Sequence, residues 1–142
     1  MKLVCLIPAR TNSKRLKNKN FLNFNGKSLL EWSLIFSKKV KNFDRIIFST
    51  DNLKIFKLRK KYPDIIFLKR PKKIAKDDTP MSSVIRHAIN YLKEKGENYD
   101  AVALLQPTSP LRKVSTIRKS ILKFKKDSPD YLASVKKLDH VC

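Results

Sequence analysis

Apolar residues along the chain gather in short runs rich in β-branched and aromatic side chains, separated by longer stretches with helical spacing. The short runs, Leu3–Ile7, Arg45–Ser49, Ile65–Leu68, Ala101–Leu105 and Tyr131–Val135, are the predicted strands. Helices between them give the order β-α-β-α-β-α-β-α-β. Val4–Ile7 and Ala101–Leu105 are almost continuously hydrophobic, the pattern of strands covered on both faces in a parallel sheet. An α/β sandwich follows.

The clearest helix opens at Thr79-Pro80, a cap residue followed by proline at the first helical position. It carries Met81, Val84, Ile85, Ala88, Ile89 and Leu92 on one face and stops at Gly96. A second helix is predicted over Ser28–Lys39 with Leu29, Trp32 and Phe36 as its buried stripe. A third covers Ser115–Lys126 and buries Ile117, Ile121 and Leu122. A weaker one spans Leu53–Lys61. The chain has no internal repeat, low-complexity linker or break in composition, so its 142 residues read as one domain, 1–142.

Composition then narrows the chemistry. Two glycines, Gly26 and Gly96, exclude both a G-x-x-x-x-G-K-S/T loop and a G-x-G-x-x-G fingerprint. Two cysteines, Cys5 and Cys142, lack disulfide or metal spacing, and Cys5 reads as a small buried hydrophobe in a reducing, cytoplasmic setting. His87 reads as a boundary residue, and with His140 it is too little for a histidine-rich metal site. No run is long enough to cross a bilayer, and the N-terminal apolar run is too short for an export signal. Against 12 acids stand 33 Lys and Arg, a net charge of +21, which bears on partners rather than on fold. Ten of those cations and one acid, Asp64, lie in Leu53–Lys76, and solvated faces account for them.

Ligands of an open α/β sheet settle beyond the carboxyl ends of its strands, so the segments after the strands carry the functional reading. After the first strand, Pro8–Asn20 has no apolar periodicity and holds Arg10, Lys14, Arg15, Lys17 and Lys19. Such a long loop is uncommon in a compact domain, and its cations, hydroxyls and amides suit a polyphosphate. A solvated basic loop is the plainer alternative. After the fourth strand, Gln106-Pro107-Thr108-Ser109-Pro110-Leu111-Arg112 sets polar groups on a proline-stiffened backbone. It suits a ligand wall, or a turn in which Ser or Thr caps the next helix.

Taken together, Ile7-Pro8-Ala9-Arg10, Ser13-Lys14-Arg15-Leu16, Lys19-Asn20, Arg45–Asp51, Arg70-Pro71 and Leu104–Arg112 resemble the acylneuraminate cytidylyltransferases, also called CMP-sialic acid synthetases. The resemblance implies a Rossmann-like, three-layer α/β/α nucleotidyltransferase fold of the nucleotide-diphospho-sugar transferase type, with a mostly parallel sheet. It implies CTP as donor, an acidic nine-carbon or related 2-keto sugar as acceptor, magnesium, and a homodimer. By position, Arg10 and Lys19 would act on the triphosphate. Pro8, Ala9, Arg10, Ser13, Asn20, Arg70 and Ser82 or Ser83 would form the nucleotide pocket, and Gln106, Thr108 and Ser109 would border the sugar.

Two departures qualify what is expected. The family's Asp-x-Asp magnesium pair and its dimerisation segment have no counterpart here, so the chain reads as the amino-terminal part of such an enzyme, with no metal ligand of its own and an incomplete sheet that exposes an edge strand. Asp77-Asp78 has the wrong spacing and is expected to offset local basic charge or assist the helix cap. Asn12 and Arg15 stand where glycines are common in relatives. The competing classes are an inactive truncated synthetase and a nonspecific polyanion or nucleic-acid binder. Phe36, Phe48, Phe67 and Tyr131 at predicted buried positions argue against the second.

Overall fold

The computed structural model describes residues 1–11 and 19–135. Six strands and three α-helices follow one another as β1 (Leu3–Pro8), β2 (Asn23–Phe24), β3 (Lys27–Ser28), α1 (Leu29–Lys39), β4 (Arg45–Thr50), β5 (Ile65–Lys69), α2 (Met81–Glu94), β6 (Ala101–Leu104) and α3 (Val114–Asp127). Short 3₁₀ segments stand at Lys19–Phe21, Leu53–Lys60 and Lys72–Ile74. Strands β5, β4, β1 and β6 form one sheet in that order, every pairing parallel, while β2 and β3 make a separate small hairpin.

Alternation along β1 divides the core between two faces of the sheet. Leu3, Cys5 and Ile7 join Phe48, Phe67, Leu30, Leu34 and Ile121 beneath α1 and α3. Val4 and Leu6 join Ile47, Leu68, Val84, Ala88 and Leu92 beneath α2. This is the expected three-layer α/β/α sandwich with a parallel sheet.

Several elements depart from the sequence reading. Tyr131–Val135 forms no strand; Tyr131 is 81% exposed and Val135 90%, so Tyr131 is not the buried aromatic that was expected. Its pattern suits a strand, but these residues do not pair with β6, which remains at the sheet edge with all four residues half-buried rather than covered on both faces. Leu53–Lys60 winds as 3₁₀ rather than α-helix; of its residues only Ile55 is buried, with Phe56 and Leu58 packed half-buried against the same core. Helix α1 buries Leu30, Ser33, Leu34, Phe36 and Ser37, so of the expected stripe Phe36 is in the core while Leu29 and Trp32 are not fully buried. The two serines are small enough to let the helix lie close to the sheet, and their hydroxyls donate to the Leu29 and Leu34 carbonyls at 3.3 and 2.8 Å. Trp32 is left half-buried, its indole N–H donating to the Phe24 carbonyl at 2.6 Å with the Lys27 ammonium over its ring.

Helix ends follow the same logic. Ser28 caps α1 by accepting from the Glu31 N–H at 3.1 Å. Pro80, not Thr79, occupies the cap of α2, without a side-chain bond. Gly96 ends α2 with φ +77°, a conformation that favours glycine. On α3, Ile121 is 5% exposed but Leu122 is 60% exposed, contrary to expectation. Ile121→Ala is therefore expected to cost about 2–4 kcal/mol, whereas Leu122→Lys changes stability by less than about 0.5 kcal/mol. Urea unfolding of both variants checks the contrast, and equal costs would return Leu122 to the core.

Candidate functional site

Because the four strands run parallel, the segments after β1, β4, β5 and β6 emerge at one edge of the sheet. That edge brings together Arg10, Asp51, Arg70 and Gln106 from the four consecutive exits.

Three neighbouring bonds fix the backbone around Arg10. The Ala9 N–H donates to the Ser49 carbonyl at 2.9 Å, extending the β1–β4 pairing by one step. The Asn20 side-chain amide, on a residue only 6% exposed, donates to the Arg10 carbonyl at 3.2 Å. Thr11 donates to one Asp51 carboxylate oxygen through its N–H at 2.8 Å and its hydroxyl at 3.1 Å. The Arg10 side chain is half-buried and ion-paired with Asp77.

Arg70 stands at the exit of β5 and is 4% exposed. Its Nε donates to the Ser49 hydroxyl at 3.1 Å, and Nη2 to the Ser49 carbonyl at 3.0 Å. Burial pushes the guanidinium down to about 10; the Asp51 carboxylate opposes that shift and the Arg10 charge adds to it. Two guanidinium groups thus converge on one edge, one of them strongly desolvated, which is the electrostatic setting in which an arriving anion is most stabilised.

The expected residues distribute as follows. Pro8 and Ala9 are buried at the end of β1, with the Ala9 N–H engaged by the Ser49 carbonyl. Lys19 opens the 3₁₀ turn that presents Asn20. Ser13 lies outside the described residues. His87 on α2 is half-buried; burial lowers its basicity first and the Arg70 charge second, so this face of α2 looks toward Arg70. Ser83, four residues earlier, shares that face, whereas Ser82 is exposed beside Arg86. Ser83 is the serine on the Arg70 side.

Beyond β6, Gln106 and Ser109 line a cavity of about 570 Å³ with Arg112, while Thr108 is exposed and outside the lining. Neither Thr108 nor Ser109 caps α3; the cap is Lys113, without a side-chain bond. The Arg112 guanidinium donates instead to the Gln106 carbonyl, staking the loop.

A model of the family described as cytidylyltransferase matches residues 4–141, nearly the entire chain. The chain is a member of the cytidylyltransferase family. Curated relatives of this cytidylyltransferase chain include the pseudaminic acid cytidylyltransferase of Campylobacter jejuni, 29% identical over 99% of this chain and 60% of that protein. The CMP-N,N'-diacetyllegionaminic acid synthase of Legionella pneumophila is 31% identical over 85% of this chain and 52% of its own length. The chain therefore spans somewhat more than half the length of these relatives. Among solved structures, a CMP:2-keto-3-deoxy-manno-octonic acid synthetase complexed with CTP superposes with TM-score 0.70 at 18% identity, over 90% of this chain and 49% of that one. At that identity the likeness is one of fold.

Two site residues of the cytidylyltransferase chain went unassigned in the sequence reading, Asp51 and Ser49. Their signal was position, since both lie where β4 exits the sheet. Asp77 offsets basic charge, as expected, but from across the site and not as a cap. Asp51 and Asp77 are both engaged with Thr11 and Arg10, and among the described residues no three acidic, histidine or cysteine side chains cluster to hold a metal ion. Among the described residues no helix is long and apolar enough to cross a membrane.

Proposed function

We propose that this chain supplies the nucleotide-binding part of an enzyme that transfers CMP from CTP to an acidic 2-keto sugar of the sialic, legionaminic or pseudaminic type, releasing pyrophosphate. The observation that carries this reading is the convergence of Arg10 and Arg70 from the exits of β1 and β5, on either side of β4, with protein carboxylates as their only anions among the described residues. In that reaction a sugar hydroxyl attacks the α-phosphorus and the bond to the β-phosphate oxygen breaks, leaving negative charge on the departing pyrophosphate. Arg10, with Lys19 beside it in the same loop, would take up that charge. Arg70 would hold the nucleotide from the β5 side and Ser83 would add a hydroxyl; Ser13 and Ser82 complete the set drawn from the resemblance. Asn20 would act through its bond to the Arg10 carbonyl, setting the height of that residue. Gln106, Thr108 and Ser109, beyond β6, would border the acceptor sugar on the opposite flank of Arg10.

The names of the relatives, which act on pseudaminic and legionaminic acids, support the acidic class of acceptor. A cytoplasmic location, a homodimer and a place in making activated sugar for surface polysaccharide, lipopolysaccharide included, go with this reading. Magnesium would arrive with the triphosphate, since Asp51 and Asp77 are engaged by Thr11 and Arg10.

Calorimetric titration of CTP, ATP, GTP and UTP at moderate and high salt tests the proposal. CTP is expected to bind preferentially, to keep that preference at high salt, and to lose about tenfold or more in affinity on Arg10→Ala, as for a charge-assisted contact. Equal, salt-sensitive binding of all four would reduce the site to nonspecific polyanion attraction.

A further inference from the structure

We propose that Asp77 is an internal competitor for the phosphate site, its carboxylate holding the Arg10 guanidinium where a ligand phosphate would otherwise sit. The inference rests on Arg10 being a phosphate ligand, as argued above. It adds that the ligand-free site is already filled from within, and that a polyphosphate binds only by opening the Arg10–Asp77 pair.

The free protein needs an anion at this position. Arg10 and Arg70 repel one another across the sheet edge, and Arg70 is too buried for water to screen its charge. Two carboxylates answer, and they are held differently. Asp51 accepts two bonds from Thr11 and so belongs to the scaffold that sets the Arg10 backbone. Asp77 touches the guanidinium itself, from a residue 67 positions further along the chain. The Arg10 and Asp77 side chains are 30% and 26% exposed, so their pair opens without disturbing the core. Asp77 sits on the short segment between the 3₁₀ turn at Lys72–Ile74 and the start of α2, where Lys72, Lys73 and Lys76 can receive the carboxylate once it is displaced.

Two consequences follow. A ligand that uses Arg10 binds more weakly than the bare guanidinium would allow, by the fraction of time the pair is open. When pyrophosphate leaves, the carboxylate returns, so product departs from a site that never stands empty of negative charge. Asp77 is in this sense a positioning residue acting through Arg10.

Titration with inorganic tripolyphosphate reads the competition without any contribution from the base. Asp77→Asn is expected to tighten tripolyphosphate binding about two- to fivefold, the size of a partly exposed ion pair. Asp78→Asn, at an exposed neighbour, is expected to leave it unchanged. In an Arg10→Ala background, Asp77→Asn should give no gain. An unchanged or weakened affinity in Asp77→Asn overturns the proposal, and so does an equal gain with Arg10→Ala, which would reflect only the loss of a negative charge near a basic edge. The nucleotide panel fails separately. If CTP shows no preference while the tripolyphosphate cycle holds, the cytidylyl reading falls and the competitor stands; a CTP preference with no coupling between Arg10 and Asp77 gives the reverse.

Discussion

Replacing Phe48 with alanine is expected to destabilise the protein by about 3–5 kcal/mol, a loss comparable to the whole stability of a marginal domain. Phe48 lies in β4, second from one side of the sheet, and is fully buried. It pairs in register with Ile7 of β1 on one side and Phe67 of β5 on the other. Its ring meets that of Phe67 edge to face, with centroids 5.3 Å apart, and Phe56 continues the contact at 6.0 Å from Phe67. Truncation would open a cavity between β1, β5 and the 3₁₀ segment above them, where backbone strands cannot collapse inward as a flexible loop can. Ser49 follows directly, and it accepts from Ala9 and Arg70, so loosening β4 also loosens the candidate site. Urea unfolding gives the cost, and Phe48→Leu, which keeps most of the apolar volume, should recover more than half of it. A loss below about 1 kcal/mol for Phe48→Ala would mean that the two flanking strands relax into the space.

How much of this was legible in the sequence depends on the range of the interaction concerned. Strands β1, β4 and β5 were readable because burial on both faces leaves a continuous apolar run. Residues 131–135 carry the same local signal without forming a strand, since a run of apolar residues specifies its own conformation only together with a partner. The hairpin at Asn23–Ser28 went unread although its signal was present: Asn25-Gly26 takes φ of 50° and 82°, the two-residue turn that these residues favour. In the site, Arg10 and Arg70 could be found by walking to the strand ends. Their carboxylate partners could not, because Asp51 reaches Thr11 across 40 residues and Asp77 reaches Arg10 across 67, and nothing in local spacing records either meeting. The share of two serines in the buried face of α1 was likewise hidden. Ser33 and Ser37 bury as well as alanine would once the preceding turn accepts their hydroxyl protons, while Trp32 needs a partner for its N–H and finds it in the hairpin.

Arg70→Met is expected to leave the fold nearly as stable as before, within about 1 kcal/mol, while lowering tripolyphosphate and CTP affinity about ten- to hundredfold. The reason is that Arg70 is a charge buried without an ion-pair partner among the described residues. Its guanidinium is held by a neutral hydroxyl and a neutral carbonyl, both of Ser49, and Asp51 acts on it only through space. A cation whose folded pKa lies below its unfolded one weakens the fold at every pH beneath the folded value. Here that value is about 10, below an arginine's ordinary range, so the cost is present throughout the neutral range and would be relieved only as pH rises past about 10. Removing the charge returns that cost and forfeits two hydrogen bonds; the Ser49 carbonyl keeps its bond from Ala9, which limits the loss. Methionine fills the channel the arginine stem occupied without leaving an ion behind. On the proposed reading, an anion that arrives there recovers the desolvation already incurred. Urea midpoints compared with tripolyphosphate titrations decide the matter. A fall in stability of more than about 2 kcal/mol with affinity intact would make Arg70 a structural strut for Ser49 and remove it from the nucleotide site.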